Sequence, residues 1–254
     1  MPPLLSARVK HLLGRLNLNI RRREYAPRSE DRFIYEDILQ SHSISHSQGK
    51  PPVILDVGAN IGQTAAAYHF TLPEFIVHAF EPFRDTFQAL QKNVASLPNV
   101  HCWQMAMGAK SGQLHLSLDA IVPTSTLNSL ENASSTPLDR SETIDVSTVD
   151  EFCASKGIET VGILKIDTEG HDLEVLKGAS NLLSQGAIQS VLIECSLAPS
   201  SPRHVAYEHV RNLLVAHQFR LFGLYEVTSL PPHGAHWYCN ALFKHESIFK
   251  GLSS

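Results

Sequence analysis

The sequence has few cysteines and no long apolar run. Only four of the 254 residues are Cys, and no two of them lie close together in the sequence. That spacing indicates neither a zinc knuckle nor a disulfide framework and favours a reducing, cytoplasmic setting. No apolar stretch approaches the ~18 residues that a membrane-spanning helix requires. Charged residues also interrupt the apolar residues near the N-terminus, which excludes a secretory signal peptide.

Glycine and proline are not in excess either, at 14 residues each, which excludes collagen-like and low-complexity chains. Hydrophobic residues make up 43% of the sequence, which is enough for a full core and too much for a disordered chain. The length therefore accommodates one large domain or at most two small ones.

Charge is distributed unevenly along the chain. The whole sequence has a net charge of −4, yet its first 32 residues contain eight basic and only three acidic side chains. Apolar residues at helical spacing predict an amphipathic helix over residues 4–16, which would pack on the domain or contact a partner or membrane surface. Because the rest of the chain is acidic and the basic segment has little aromatic interleaving, we expect no nucleic-acid partner.

A Ser-rich stretch with a Pro-Pro break, residues 41–52, is predicted to be a linker. It divides the chain into a basic, helical N-terminal extension (1–50) and a main domain (51–254). Strands and helices alternate after Pro52, which is typical of an α/β fold with a parallel sheet and helices on both faces.

That alternation is interrupted between residues 108 and 149. Two segments of alternating apolar and polar residues, 114–118 and 144–147, flank a polar loop there. We expect a hairpin-like insertion after the third strand. The last two strands, 220–227 and 237–244, are joined by a loop too short for a crossover helix, so this pair should be antiparallel.

The most informative segment follows the first strand, where Asp56 precedes a loop of residues 58–62, the glycine loop, that opens a helix. Gly58 and Gly62 allow a ligand to approach the backbone closely, and Asn60 tolerates the left-handed conformation. The G-x-G-x-x-G motif of dinucleotide-binding folds and the Gly-Lys-Ser/Thr phosphate loop both fail here. A nucleoside without phosphate fits better, with Asp56 placed to hold its ammonium group. A turn without a ligand is the alternative.

A second acid, Glu81, ends the next strand, one βα unit after Asp56. An acid at this position can accept hydrogen bonds from both hydroxyls of a ribose. Its pairing with the glycine loop favours ribose binding over the alternative of a solvated cap.

These segments together resemble the FkbM family of S-adenosylmethionine-dependent methyltransferases. The resemblance covers roughly residues 52–245 and depends on three motifs: DVGANIG at 56–62, FEP at 80–82 and LKIDTEGHDLEVLKGA at 164–179. It implies a Rossmann-like class I methyltransferase fold, with a seven-stranded, mostly parallel sheet that contains one antiparallel strand. It also implies S-adenosyl-L-methionine as the cofactor and a catalytic domain at 51–254.

The resemblance further implies where the cofactor would lie. The glycine loop would line its methionine and ribose parts, with Asp56 beneath the methionine amine and Glu81 on the ribose. Ala106 and its neighbours, after the third strand, would border the adenine. The acid that many class I enzymes place there is missing from this chain, so the adenine contact would depend on backbone and apolar packing.

Three candidate catalytic residues, Asp167, Glu169 and His171, follow a buried apolar strand at the edge where parallel sheets bind ligands. Methyl transfer to a hydroxyl needs an aligned acceptor and a group that takes its proton. We favour Asp167 or His171 for that role, and the choice between them stays open. Capping of the next helix is the alternative role for Glu169. Asp167 and Glu194 could together hold a divalent ion, but two ligands are too few for a metal site to be predicted. A buried salt bridge is the favoured role for this pair of residues.

We therefore expect a methyltransferase that acts on a hydroxyl of a sugar, glycan or secondary metabolite. A nucleotide-binding Rossmann-type oxidoreductase and a non-catalytic scaffold of the same fold are the alternatives. The sequence carries no recognisable code for the identity of the small-molecule or glycan acceptor, or for the oligomeric state.

Overall fold

The structure is a computed structural model. It describes residues 34, 37–38, 51–117, 141–198, 201, 204–230 and 236–249. The helix expected at 4–16, most of the linker and the polar loop within the insertion lie outside the described residues. No helix in the described part of the chain is both long and apolar enough to cross a membrane.

The helices and strands follow one another in the order that the sequence predicts for an α/β fold. In chain order they are β1 (Val53–Val57), α1 (Gln63–Thr71), β2 (Ile76–Phe80), α2 (Arg84–Val94), β3 (Val100–Trp103), β4 (Ala106–Met107), β5 (Gly112–Ser117), β6 (Ser141–Ser147), α3 (Val149–Lys156), β7 (Val161–Ile166), α4 (Asp172–Lys177), α5 (Ser180–Ser184), β8 (Ile188–Ser196), α6 (Tyr207–Ala216), β9 (Phe219–Leu230), β10 (His236–His245) and a closing 3₁₀ turn (Glu246–Phe249).

Seven strands form the main sheet, in the order β3-β2-β1-β7-β8-β10-β9. The pairs among β3, β2, β1, β7 and β8 are parallel, whereas β10 runs antiparallel to both β8 and β9. This arrangement confirms the expected class I methyltransferase sheet with its single antiparallel strand. Because β1, β2, β7 and β8 run in the same direction, their carboxyl ends meet at one edge of the sheet.

A second, three-stranded sheet has the order β4-β6-β5. Its β5 and β6 pair antiparallel, from Gly112 opposite Val146 to Ser117 opposite Ser141, which confirms the hairpin-like insertion. The short strand β4 adds to β6 in parallel. Because β4 has only two residues, the sequence pattern did not predict it. The insertion therefore starts directly after β3, at the edge of the main sheet.

Buried side chains pack in two clusters, one on each face of the main sheet. Leu55 of β1 belongs to the first cluster and Ile54 to the second, because successive residues of a strand point to opposite faces. Asp56 lies two residues after Ile54 and therefore shares its face. Lys165 of β7 is the direct neighbour of Asp56 in the parallel register, so the two side chains lie side by side.

Part of the predicted N-terminal extension packs against the main domain. Ile34 and Ile38 are buried in the second cluster. The Asp37 carboxylate accepts a hydrogen bond of 2.6 Å from the Tyr225 hydroxyl, and its backbone oxygen accepts one of 2.6 Å from Lys244 Nζ. A boundary near residue 50 stays a prediction, and these contacts give it a direct test.

Two truncations should differ in their effect on stability. We expect deletion of residues 1–50 to lower the free energy of unfolding by at least about 3 kcal/mol more than deletion of residues 1–32, because only the longer deletion removes two buried isoleucines. Urea unfolding of both truncated proteins measures the difference. Equal midpoints and slopes would show that Ile34 and Ile38 contribute nothing and that the domain begins after them.

Candidate functional site

The glycine loop has a conformation that only its particular residues adopt easily. Gly58, Asn60 and Gly62 have φ angles of 79°, 50° and 92°, all in the left-handed region. A Cβ on Gly58 would lie 1.8 Å from the backbone oxygen of Asp167. The Gly58 N–H donates a 3.1 Å hydrogen bond to the carbonyl of Phe80. The loop is thus held between the carboxyl ends of β2 and β7, and it ends at Gly62, which caps α1.

Glu81 is buried directly against this loop. Its carboxylate accepts hydrogen bonds of 3.1 Å from the backbone N–H groups of Asn60 and Phe83. Burial raises the pKa of Glu81 to about 7, although these two hydrogen bonds act in the opposite direction. The structure therefore places Glu81 against the glycine loop, as the sequence predicts. With this pKa, the Glu81 carboxyl titrates near neutral pH.

Asp56 lies beneath the loop and is paired with Lys165, a residue that the sequence analysis missed. Lys165 Nζ is 3.2 Å from Asp56 Oδ1, 3.4 Å from Asp167 Oδ2 and 3.4 Å from the Gly58 carbonyl oxygen. Both Asp56 and Lys165 are buried. A lysine within an otherwise apolar, buried strand was the available signal, because a charged side chain is seldom buried without a partner.

This cluster contains two acidic side chains and one basic side chain. Burial raises the pKa of Asp56. Burial alone would lower the pKa of Lys165, but the charges of Asp56 and Asp167 raise it above its ordinary value. Lys165 is therefore the cation of a group that contains two carboxylates. Asp56 Oδ2 has no hydrogen-bond partner among the described residues. Two carboxyl groups around one ammonium at the end of β1 suit a cationic ligand.

The three candidate catalytic residues differ in their surroundings. Asp167 is half-buried and held by Lys165, and its N–H donates a 3.0 Å hydrogen bond to Val57 O. Glu169 and His171 are exposed, and Glu169 has a φ of 53° in the left-handed region. The structure thus joins Asp167 to the glycine loop and places the other two further out along the same turn.

The turn itself is built around Asp172, whose side chain is buried. Asp172 Oδ1 accepts hydrogen bonds from the N–H and hydroxyl of Thr168, and its Oδ2 accepts one from the Gly170 N–H. This side chain therefore fixes the position of the exposed Glu169 between them.

Glu194, for which the sequence favours a buried salt bridge over a metal site, pairs with His204. The distance from His204 Nε2 to Glu194 Oε2 is 2.9 Å. His204 had no distinguishing sequence signal. Within the described ranges, no group of three or more His, Cys, Asp or Glu side chains could hold a metal ion.

Ala106 begins β4, shortly after β3 ends at the edge of the main sheet. It is half-buried and pairs with Val146 of β6. The structure therefore places Ala106 where the insertion meets the carboxyl end of β3, as the order of elements suggested, and its proposed contact with adenine stays a prediction.

Comparison with known proteins identifies the family. The model of the methyltransferase FkbM domain matches residues 56–221, which include every residue of the cluster described above. The chain belongs to the FkbM methyltransferase family. S-adenosylmethionine is the cofactor of this family. In this chain the glycine loop is in contact with the motif at 164–179, the acidic motif.

Three curated methyltransferases are similar to part of this chain. The hexuronic acid methyltransferase AglP of Haloferax volcanii is 32% identical over 56% of this chain and 55% of its own length. The 31-O-demethyl-FK506 methyltransferase FkbM of Streptomyces tacrolimicus is 29% identical over 60% and 70%. The 2-O-methyltransferase NoeI of Sinorhizobium fredii is 22% identical over 53% and 60%. The chain spans only about half the length of AglP.

Proposed function

We propose that this chain transfers the methyl group of S-adenosylmethionine to a hydroxyl of a sugar, glycan or secondary metabolite. The observation that carries the proposal is the convergence of the glycine loop, Glu81 and Asp167 at one edge of the sheet in a member of the FkbM family. The names of the relatives support the acceptor class: one is named for a hexuronic acid, one for an O-demethylated acceptor and one as a 2-O-methyltransferase.

The residues present fit this cofactor. Glu81 would accept hydrogen bonds from the ribose hydroxyls, and the glycine loop would line the methionine and ribose parts. Asp56 would lie beneath the methionine amine, in a cluster that has two carboxyl groups around one ammonium. Ala106 would border the adenine. When bound, the cofactor supplies an electrophilic methyl group, so the chain mainly has to align the acceptor and exclude water.

Asp167, Glu169 and His171 would form the part of the site that contacts the acceptor. Lys165 fixes the Asp167 carboxylate at the carboxyl end of β7, so Asp167 would orient an acceptor hydroxyl beside the cofactor. The exposed Glu169 and His171 would contact the outer part of the acceptor. We propose a small-molecule or glycan acceptor rather than a nucleic acid. The cytoplasmic location is also a proposal, supported by four Cys side chains that are all free thiols.

A methylation assay tests the proposed function. The purified chain would be incubated with S-adenosylmethionine and a panel of methyl glycosides, including glucosides and glucuronides, and the products analysed by mass spectrometry. We expect a gain of one methyl group that survives mild alkali, as a methyl ether does. An alkali-labile product would indicate a methyl ester and a carboxyl acceptor. Cofactor binding without transfer to any acceptor would favour a non-catalytic scaffold.

Affinity for the cofactor product should depend on the ionisation of Glu81. Its pKa of about 7 means that the carboxylate is mostly charged at pH 8 and mostly protonated at pH 6. A charged carboxylate accepts both ribose hydroxyls, so S-adenosylhomocysteine should bind about tenfold more weakly at pH 6 than at pH 8. Calorimetric titration at both pH values measures this difference.

Two variants serve as controls for that titration. Glu81→Gln should remove most of the pH dependence, because the amide does not ionise in this range. Glu81→Ala should weaken binding about 100-fold at pH 8, because two hydrogen bonds to a charged acceptor are lost. If Glu81→Gln kept the full tenfold difference, another group would be responsible for it.

A further inference from the structure

Glu194 and His204 form a confined pair next to the acidic motif. Besides the 2.9 Å contact between His204 Nε2 and Glu194 Oε2, the imidazole ring stacks on Tyr238, with ring centres 5.1 Å apart and planes 3° from parallel. The side chains of His204 and Glu194 are only 10% and 18% exposed. The ring is therefore fixed at one nitrogen and on one face, and the pair is still partly open to solvent.

The pair belongs to the acceptor side of the site. Glu194 lies near the carboxyl end of β8, and β8 is the direct neighbour of β7, whose carboxyl end carries Asp167. The charges of Asp167 and Glu169 act on both Glu194 and His204. In the parallel register Ile166 of β7 lies opposite Ile193 of β8, so Asp167 and Glu194 are the next residues at the same end of the sheet. The pair of Glu194 and His204 therefore lies beside the turn that would meet the acceptor.

The hydrogen-bond pattern leaves one ring nitrogen to act as a base. When Nε2–H donates to Glu194, Nδ1 carries a lone pair. Among the described residues, Nδ1 has a contact of 3.5 Å with the Ser201 hydroxyl, which is too long for a strong hydrogen bond. An imidazole oriented by a carboxylate in this way is a common arrangement of a general base.

We propose that His204, rather than Asp167 or His171, accepts the proton of the acceptor hydroxyl and that Glu194 is a positioning residue that holds the ring. The inference rests on the proposed function. The acceptor oxygen forms its bond to the methyl carbon while the bond from that carbon to sulfur breaks, and both electrons of the broken bond stay on sulfur. The hydroxyl proton moves to His204 Nδ1, and solvent later removes it from the imidazolium.

The surroundings of His204 predict a characteristic pH dependence. The hydrogen bond to Glu194 raises the pKa of His204, burial opposes that rise, and the charges of Glu169 and Asp167 add to it. Tyr238 covers the ring from β10. Because only the neutral imidazole accepts a proton, kcat/KM for the acceptor should fall as the pH falls through a pKa that lies above the ordinary value of about 6.5. S-adenosylmethionine is kept saturating at every pH in this measurement, so that the ionisation of Glu81 does not contribute to the acidic limb.

A purely structural role would give a different result. The segment that carries His204 is also attached to β8 through a 2.8 Å hydrogen bond from Ser196 N to Val205 O and a bridge to Ala206. If the ion pair only strengthened this attachment, its loss would lower the melting temperature without removing the acidic limb of the pH profile.

The test compares His204→Gln with His209→Gln, a change at an exposed histidine of α6. The substrate is a methyl glycoside that the wild-type chain methylates. We expect His204→Gln to lower kcat about 100-fold and abolish the acidic limb, while S-adenosylhomocysteine affinity stays within about twofold. His209→Gln should match the wild type. An unchanged kcat and acidic limb in a folded His204→Gln variant would overturn the inference and leave the proposed function intact.

A second readout needs no turnover and does not depend on the folding of the His204 variant. Titration of the histidine ring signals by NMR in the wild-type chain should give a His204 pKa above about 6.5, and Glu194→Gln should lower it. A His204 pKa at or below that value, unmoved in Glu194→Gln, would overturn the inference. Failure of the wild type to methylate any acceptor would overturn the proposed function and this inference together.

Discussion

Replacing Lys165 with Met is expected to lower the free energy of unfolding by about 3–5 kcal/mol, because it leaves a buried carboxylate without its cation. Asp56 is fully buried, and Lys165 Nζ is its recorded ion-pair partner at 3.2 Å. Removing the ammonium also frees Asp167 and the Gly58 carbonyl, so cofactor affinity should fall as well. Urea unfolding and a calorimetric titration with S-adenosylhomocysteine measure the two effects.

Two comparisons make the Lys165 prediction specific. The double variant with Lys165→Met and Asp56→Asn should recover part of the lost stability, because the uncompensated charge is gone. Lys177→Met removes an exposed lysine that pairs with Glu174, and it should change stability by less than about 0.5 kcal/mol. If Lys165→Met were as mild as Lys177→Met, the buried cluster would not link the glycine loop to the acidic motif.

Replacing Gly58 with Ala is expected to destabilise the chain by about 3–5 kcal/mol. The new Cβ would lie 1.8 Å from the carbonyl oxygen and 2.8 Å from the carbonyl carbon of Asp167, so backbone would have to move. The φ angle of 79° adds the strain of a left-handed residue with a side chain. The displacement would separate the glycine loop from β7 and weaken cofactor binding together with stability.

Gly157→Ala is the matched control for this change. Gly157 also has a left-handed φ angle, of 64°, but no atom lies within 4 Å of the position of an added Cβ. Only the conformational strain remains, so the expected loss is about 1 kcal/mol. Thermal and urea unfolding of both variants separate the cost of the steric clash at Gly58 from the cost of the left-handed backbone conformation. Equal losses would mean that the contact between Gly58 and Asp167 has no energetic importance.

The parts of the fold that could be predicted depend on local sequence patterns. Alternating strands and helices predicted the parallel sheet, and the short loop before β10 predicted its antiparallel pairing. The proximity of Glu81 to Asn60 was also accessible, because the loops after neighbouring parallel strands meet at one edge. Each of these inferences needed only the order of the elements.

The missed features depend on register and on distant segments. Lys165 meets Asp56 only because β1 and β7 pair in one particular register. Cys195 and Cys239, far apart in sequence, lie directly opposite on β8 and β10 with their sulfur atoms 3.8 Å apart. Ile38 packs in the core although it precedes the predicted linker. The register of two strands and the packing of a distant segment on the core depend on the whole sheet, so a local sequence pattern does not predict them.

The central claim is that the edge of the sheet formed by the glycine loop and Glu81 binds S-adenosylmethionine. Calorimetric titration of the chain with S-adenosylmethionine tests it most directly, with NADH titrated in parallel as the ligand of the oxidoreductase alternative. The account predicts saturable binding of S-adenosylmethionine at one site per chain and no saturable binding of NADH. Tight binding of NADH together with no detectable binding of S-adenosylmethionine would contradict it.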